Sequence, residues 1–312
     1  MKSLLHPGRM KIIVPAHNCA GFITECLNSI REQDFTDYEV LIADDHSEDS
    51  TREKILPFLD DARFKAAFRT PRHYLMGNIA KTFKEIASDP NDVIAVVDGD
   101  DKLLPNAFSK IWEMHCQGYD FVYTDMEISD GTGSIGRPLI REIPIRLQNW
   151  CVSHLRSFKG YLLDFLDDEL FKDDDGRFFR AAGDMSWIMP AIESAGMHKV
   201  CFIPQKLYFY RVHDNCNFKA RRAEQLANNK LIRSRPPLPP QTGFFDFEIE
   251  TATPSKSELR DLAREARKKI PLPYSIRIRY FSQGSGDSWQ AYSGLWIGEG
   301  VYFEAIARDS TA

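Results

Sequence analysis

Val93-Ile94-Ala95-Val96-Val97-Asp98-Gly99-Asp100-Asp101 runs five apolar residues directly into three carboxylates. A short apolar run rich in β-branched residues marks a strand covered on both faces, the type found in parallel sheets. In open α/β sheets, ligands bind just beyond the carboxyl ends of such strands. Carboxylates crowded there repel one another unless a cation or hydrogen-bond donors offset the charge, so a divalent metal ion is one reading of the cluster. The other is an acidic strand-to-helix turn, with Asp101 or a neighbour capping a helix that begins near Pro105. Taken alone, the stretch supports both.

Around it, the first 130 residues alternate strand and helix signals. Lys11 to Asn18 (KIIVPAHN) is an apolar strand ending in a polar turn, and the following GFITECLNSIREQ sets Ile23, Leu27 and Ile30 on one helical face. Tyr38 to Ala43 is a second strand, followed by a helix through Ile55 and Phe58, and NIAKTFKEIA repeats the helical period with Ile79, Phe83 and Ile86. A helix from Pro105 to about Gln117 and a strand at YDFVYTD follow. The pattern predicts an α/β fold, a mostly parallel sheet with helices on both faces.

Past Asp130 the rhythm changes. DGTGSIGRPLIREIPIRLQNW carries Gly, Pro and β-formers without helical period, which predicts loops with one or two edge strands. YLLDFLDDELF and GDMSWIMPAIESAG read as helices, the second stopping at Gly196, and KVCFIPQKLYFYRVH as a short strand, a break at Pro204 and a longer strand. A helix near Arg222 to Ile232 runs into the proline-rich linker RSRPPLPPQTG. We therefore expect a main domain over residues 9–218, a helix and linker over 219–243, and a small α+β module over 244–312. In that module, SKSELRDLAREARKKI is a charged helix, YSIRIRYF a strand, and WQAYSGLWIGEGVYFEAIA a hairpin turning at Gly298 to Gly300. It could bind an acceptor or act as a lid.

Composition fits a globular chain. The 312 residues are 43% hydrophobic and 12% aromatic, enough to bury one large core. No apolar run reaches the length that spans a bilayer, and the N-terminus lacks a secretory apolar core, so no membrane insertion and a cytoplasmic location are expected. Six cysteines without a CxxC pair fit reduced thiols better than a zinc site. Net charge is −5, spread unevenly: residues 1–218 hold 25 Lys and Arg against 34 Asp and Glu, while residues 219–312 hold 15 against 11. The basic tail, with Arg277, Arg279, Trp289 and Trp296, has two readings: contact with a phosphate backbone, or ordinary strand alternation.

Three carboxylate clusters follow one another: Asp44-Asp45 after the second strand, Asp98 to Asp101 after the apolar run, and Asp184 in AAGDMSW. The first two close parallel strands and so converge on one sheet edge. One carboxylate can accept the imide N–H of a base, another can take ribose hydroxyls, and a third can hold a metal across a diphosphate. A later carboxylate free of metal can accept a proton from an attacking hydroxyl. Asp44 and Asp45 also suit a helix cap, and Asp184 suits an N-terminal helix carboxylate. GxGxxG and GxxxxGK[ST] loops are absent, which counts against dinucleotide and P-loop sites, and the glycine-rich nucleotidyltransferase loop is absent too.

KIIVPAHN, ECLNSIREQDFTDYEVLIADDHSEDST, VIAVVDGDDKLLPNAF and GDMSW together resemble the successive motifs of the family 2 glycosyltransferases, over about residues 10 to 215. The resemblance implies a GT-A fold and an inverting, metal-dependent transfer from a nucleoside-diphosphate sugar, UDP-sugar favoured, to an acceptor hydroxyl. It implies that Pro15 and His17 line the base pocket with Asn18 beside them, and that Asp45 holds the base. By the same resemblance Asp98 and Gly99 approach the ribose, Asn78 and Lys81 lie near the diphosphate, and Asp100 coordinates Mn²⁺ or Mg²⁺. Asp184 matches the general base. His213 could add a metal ligand or a diphosphate contact, or serve only as a structural residue at a strand end.

Departures from the family pattern are specific. His17 stands where an aromatic residue is usual, Gly183 precedes Asp184 where many members carry Glu, and the QxxRW motif of processive synthases is missing. Single-sugar transfer to a saccharide or small hydroxyl acceptor is therefore expected, with a hydroxylated DNA base as the alternative. Ser153 to Lys159 (SHLRSFK) is read either as an acceptor or diphosphate contact or as a surface turn. A sugar-nucleotide-binding module without turnover, and another Mg²⁺-dependent enzyme on a doubly wound sheet, are the competing classes.

Overall fold

The computed structural model describes residues 8–86, 88–213 and 221–240, and beyond them the backbone of four strands and three short helical stretches between 257 and 265. Strands β1 (Met10–Ala16), β2 (Tyr38–Asp44), β3 (Phe64–Phe68) and β4 (Val93–Val96) are parallel, with β1 central: Met10 pairs with Tyr38 on one side and Val93 on the other. With β5 (Lys102–Leu103), β6 (Phe121–Ile128), β7 (Arg156–Lys159) and β8 (Val200–Tyr210) they form an eight-stranded sheet in the order β3-β2-β1-β4-β7-β6-β8-β5. The two-faced burial expected of the apolar run is what forms. Val93, Ala95 and Val97 face one core layer while Ile94 and Val96 face the other, and Ile12 and Val14 alternate with Ile13 in the same way.

Helices fill both layers. On one face, α1 (Ile23–Arg31) buries Ile23, Leu27 and Ile30 as its spacing predicts, beside the short α2 (Thr51–Ile55) and the Phe108 and Ile111 face of α4 (Ala107–Cys116). On the other, α3 (Tyr74–Glu85) contributes Met76, Ile79 and Phe83, and α5 (Met185–Ala195) contributes Trp187, Ile188 and Ile192. Gly196 ends α5 at φ 86°, a left-handed conformation that glycine adopts without steric cost.

Four differences from the sequence reading have physical causes. β7 is not a surface turn: it lies antiparallel between β4 and β6, Phe158 pairing with both Ile94 and Phe121. Its charged residues are buried because the fold supplies partners, Val152 and Asp184 for Arg156 and the Asn91 carbonyl for Lys159. YLLDFLDDELF forms two 3₁₀ segments, Gly160–Phe165 and Asp168–Phe171, rather than an α-helix, the second capped by Asp167. The break at Pro204 is a bulge within one continuous strand, with Ile203 opposite Thr124 and Lys206 opposite Asp125, since proline has no N–H to give the ladder. β3 (FKAAF), a short run without β-branched residues or a clean alternation, has no sequence signal of its own.

Helix α6 (Arg222–Ser234) packs onto the main body: Asn228 Nδ2 donates to the Ala181 carbonyl at 2.9 Å, and Arg146 bridges Glu193 of α5 and the Ile232 carbonyl. Strands β9 (Phe244–Glu250), β10 (Ser275–Ser282), β11 (Leu295–Ile297) and β12 (Val301–Ala307) form a second sheet in the order β11-β12-β10-β9. β11 and β12 are antiparallel with Ile297 opposite Val301, consistent with the expected hairpin, while β10 is parallel to both its neighbours. The side chains of Arg277, Arg279, Trp289 and Trp296 lie outside the described residues. Among the described residues no helix is long and apolar enough to cross a membrane.

Candidate active site

A cleft of about 640 Å³ opens at the carboxyl ends of β1, β2 and β4, where the carboxylate clusters were expected to converge. Its β1–β2 side is a rigid pocket. The Asp45 amide donates to the Ala16 carbonyl at 2.8 Å, and the Asp45 carboxylate accepts the His73 N–H at 2.7 Å. His17 donates from Nδ1 to the Asp45 carbonyl at 2.9 Å, so its tautomer is set by the backbone. Pro15 lines the same wall. Asn18, at φ 48°, accepts the Glu48 N–H at 2.8 Å and lies at the cleft edge. Asp44 is a turn residue rather than a helix cap: it is buried and accepts from Ser47, whereas α2 begins after Ser50 without a side-chain cap.

The two residues expected near the diphosphate differ in their surroundings. Asn78 borders the cleft, but its amide is used within the fold, Nδ2 donating to the Ala43 carbonyl at 2.7 Å and Oδ1 accepting from Arg69 Nε at 3.1 Å. Lys81 is exposed on α3 and does not line the cleft.

The floor is the acidic turn itself. Gly99 lets it lie flat against β1 and α1: a Cβ there would sit 3.0 Å from the Pro15 carbonyl oxygen and 3.2 Å from Ile23 Cδ1. Asp98 and Asp100 both reach the cleft, and His213 Nε2 lies 3.0 Å from Asp100 Oδ2. Burial, with Asp100 close by, pushes the Asp98 carboxyl up to about 7, while Arg156 opposes the shift. Asp101 has a different job. It is buried, and its two oxygens accept from Tyr208 Oη at 2.8 Å and the Arg211 amide at 2.7 Å. Tyr208 Oη also accepts the Asp98 N–H, so one hydroxyl fastens the turn to β8.

A divalent ion suits this floor. Asp98 and Asp100 crowd one another, which a cation would relieve, and their hard carboxylate oxygens suit Mn²⁺ or Mg²⁺, the imidazole nitrogen fitting Mn²⁺ better than Mg²⁺. Asp98, Asp101 and His154 also bring ligand atoms within 4.8 Å of one another, but the Asp101 oxygens are already engaged. Asp100 and His213, 3.0 Å apart, form a candidate pair for an ion, whereas the three residues whose ligand atoms converge are Asp98, Asp101 and His154.

Asp184 sits at the N-terminus of α5, where its Oδ1 accepts the Met185 N–H at 3.0 Å. Arg156 reaches its Oδ2 at 3.1 Å. The Gly183 that departs from the family pattern is required by packing: a Cβ there would lie 2.2 Å from Met76 Cγ. Arg156 and His154 were contained in the SHLRSFK stretch, without a signal to separate them from a surface turn. His154 is mostly covered, its Nδ1 buried without a hydrogen bond 3.8 Å from Asp98 Oδ2, and desolvation with Arg156 beside it holds the ring neutral.

A family model described as Glycosyl transferase family 2 matches residues 11–180. The chain belongs to that family. It is 28% identical over 116 residues to the GalNAc(5)-diNAcBac-PP-undecaprenol beta-1,3-glucosyltransferase of Campylobacter jejuni, a match covering 37% of each chain. The chain spans about half or less of the length of the first curated relatives it matches. Among solved structures, the mannosyltransferase PcManGT from Pyrobaculum calidifontis, in complex with GDP-Man and Mn²⁺, superposes with a TM-score of 0.53 at 20% identity, covering 75% of this chain and 66% of that one. Staphylococcus aureus TarS 1–349 in complex with UDP gives 0.52 at 17% identity, covering 73% and 70%. These likenesses establish the GT-A fold expected from the motifs.

Proposed function

We propose that the chain is a metal-dependent, inverting glycosyltransferase that moves one sugar from a nucleoside-diphosphate sugar, UDP-sugar first among them, to the hydroxyl of a saccharide or small-molecule acceptor. The observation that carries the reading is that one cleft is lined by Asp45, by Asp98 and Asp100 with His213 3.0 Å from Asp100, and by a separate carboxylate, Asp184, held by Arg156. Bound at the floor, Mn²⁺ or Mg²⁺ would offset charge on the diphosphate. Asp184 takes the proton from the acceptor hydroxyl, whose oxygen forms the bond to the anomeric carbon as the bond to the diphosphate oxygen breaks. Attack from the face opposite the leaving group inverts the carbon. Residues 9–218 carry this chemistry, and the module over 244–312 serves the acceptor or acts as a lid.

Two variants test the assignment. Asp184→Asn should abolish most transfer while nucleotide affinity stays near native, because it removes proton abstraction and little ground-state contact. Asp100→Ala should weaken metal-dependent UDP binding instead. Native turnover in both would refute the site assignment, and UDP binding without any transfer by the native chain would favour a binding module.

A further inference from the structure

The cleft holds more positive charge at its rim than the chemistry of its floor uses. Five guanidinium groups line it, those of Arg72, Arg156, Arg180, Arg211 and Arg221. Arg156 is engaged with Asp184, Arg211 with Glu25 and the Asp100 carbonyl, and Arg221 with Glu224, while Arg72 lies 4.0 Å from Asp45. Arg180 differs. It is exposed, and among the described residues no carboxylate lies within ion-pair distance of it. Its guanidinium carbon sits 4.0 Å from the centre of the Tyr74 ring, and that of Arg72 sits 4.7 Å from the same ring. Tyr74 itself is held at φ 61°, a left-handed conformation that a bulky residue rarely adopts. Two cations thus share one aromatic platform on a strained residue, an arrangement that an anion between or beside them would stabilise.

Position separates these arginines by role. Arg72 belongs with Asp45 and the base pocket. Arg180 lies four residues before Asp184 on the loop leading into α5, and the Asn228 bond to Ala181 ties α6 to that same loop. Arg221 at the head of α6 and Gln225 one turn later both face the cleft. A planar guanidinium presents paired N–H donors that match phosphate oxygens. Resting on the glycosyltransferase reading, we propose that the acceptor is phosphorylated, and that Arg180 and Arg221, with Gln225, hold its phosphate so that a hydroxyl of the same molecule reaches Asp184. A sugar carried on a lipid diphosphate and a soluble polyol phosphate share this chemistry.

The test uses the full chain saturated with UDP and Mn²⁺. Calorimetric titration with N-acetylglucosamine 1-phosphate and ribitol 5-phosphate, against N-acetylglucosamine and ribitol, should show one phosphorylated probe binding at least about tenfold tighter than its neutral counterpart. Arg180→Gln and Arg221→Gln should each erase about tenfold of that preference while UDP affinity stays native. A short-chain lipid diphosphate sugar in detergent, compared with the polyol phosphate, identifies the source by which binds tighter. Equal affinity for phosphorylated and neutral probes overturns the proposal while leaving the donor reading intact. Loss of UDP affinity in Arg180→Gln also overturns it, because the arginine then serves the donor diphosphate. Failure of the native chain to bind UDP overturns the glycosyltransferase reading and this proposal together.

Discussion

Replacing Arg156 by Gln probes how the proposed base is held. Arg156 is 6% exposed on the central strand β7, donates to the Val152 carbonyl at 3.0 and 3.2 Å, and meets Asp184, 33% exposed, at 3.1 Å. Breaking a buried ion pair by removing one partner costs about 3–5 kcal/mol. Asp184 keeps some water contact and its bond to the Met185 amide, so a loss of about 2–3 kcal/mol is expected, at or below the low end of that range. In chemical denaturation this appears as a lower midpoint with an unchanged slope. Function should suffer separately. An untethered Asp184 can swing by an ångström or more, and displacement of that size costs about a hundredfold in rate. We therefore predict that Arg156→Gln lowers kcat about a hundredfold with UDP affinity near native, and that Arg156→Lys, which restores a charge without the planar fork, recovers part of the loss. Native kcat in a destabilised Arg156→Gln protein would refute the reasoning and leave Arg156 a purely structural residue. A parallel fall in UDP affinity would refute it too, by showing that the arginine serves the donor.

Two further predictions concern the frame around the site. Gly183→Ala should destabilise the protein by about 1–3 kcal/mol, because the new methyl overlaps Met76, and adding Met76→Ala should recover much of that loss in a double-mutant cycle; independent, additive costs would show that Met76 is not the obstacle. His115 is fully buried between the Tyr119 carbonyl and the Ser157 hydroxyl, and burial, aided by Lys159, pulls its pKa down to about 3. The unfolded chain takes up that proton near pH 6.5 and the native protein only near 3, so the unfolded state binds more protons between those limits. Stability is then lost as pH falls through the window, by roughly 1.4 kcal/mol per unit. His115→Gln should flatten this part of the stability profile, and an identical profile in native and variant proteins would contradict the assignment.

Legibility followed the reach of each interaction. The apolar run into Asp98 to Asp101, and Asp44-Asp45 after β2, announce themselves because strand burial and the carboxylates lie within one short segment. β7 does not. Ser153 to Lys159 reads as a polar surface stretch, and only its pairing between β4 and β6, with Arg156 meeting Asp184 twenty-eight residues onward, makes it a buried central strand beside the site. Asp101 looked like a helix cap for the same reason, since its partners, Tyr208 and the Arg211 amide, come from the far end of the fold. Asn78 and Lys81 show what a matched motif leaves open: Asn78 lines the cleft with its amide tied to β2, while Lys81 faces solvent. Likewise the Gly183 departure has no meaning in sequence and a plain one in space, the bulk of Met76.

Calorimetric titration of UDP, GDP, CDP and ADP into the full chain, with Mn²⁺ and then with EDTA, tests the central claim most directly. We expect UDP to bind more tightly than the others and only with the metal present, and Asp100→Ala to abolish that dependence. Binding of no nucleotide, or binding unaffected by EDTA, would contradict the reading of Asp45, Asp98, Asp100 and His213 as a sugar-nucleotide site.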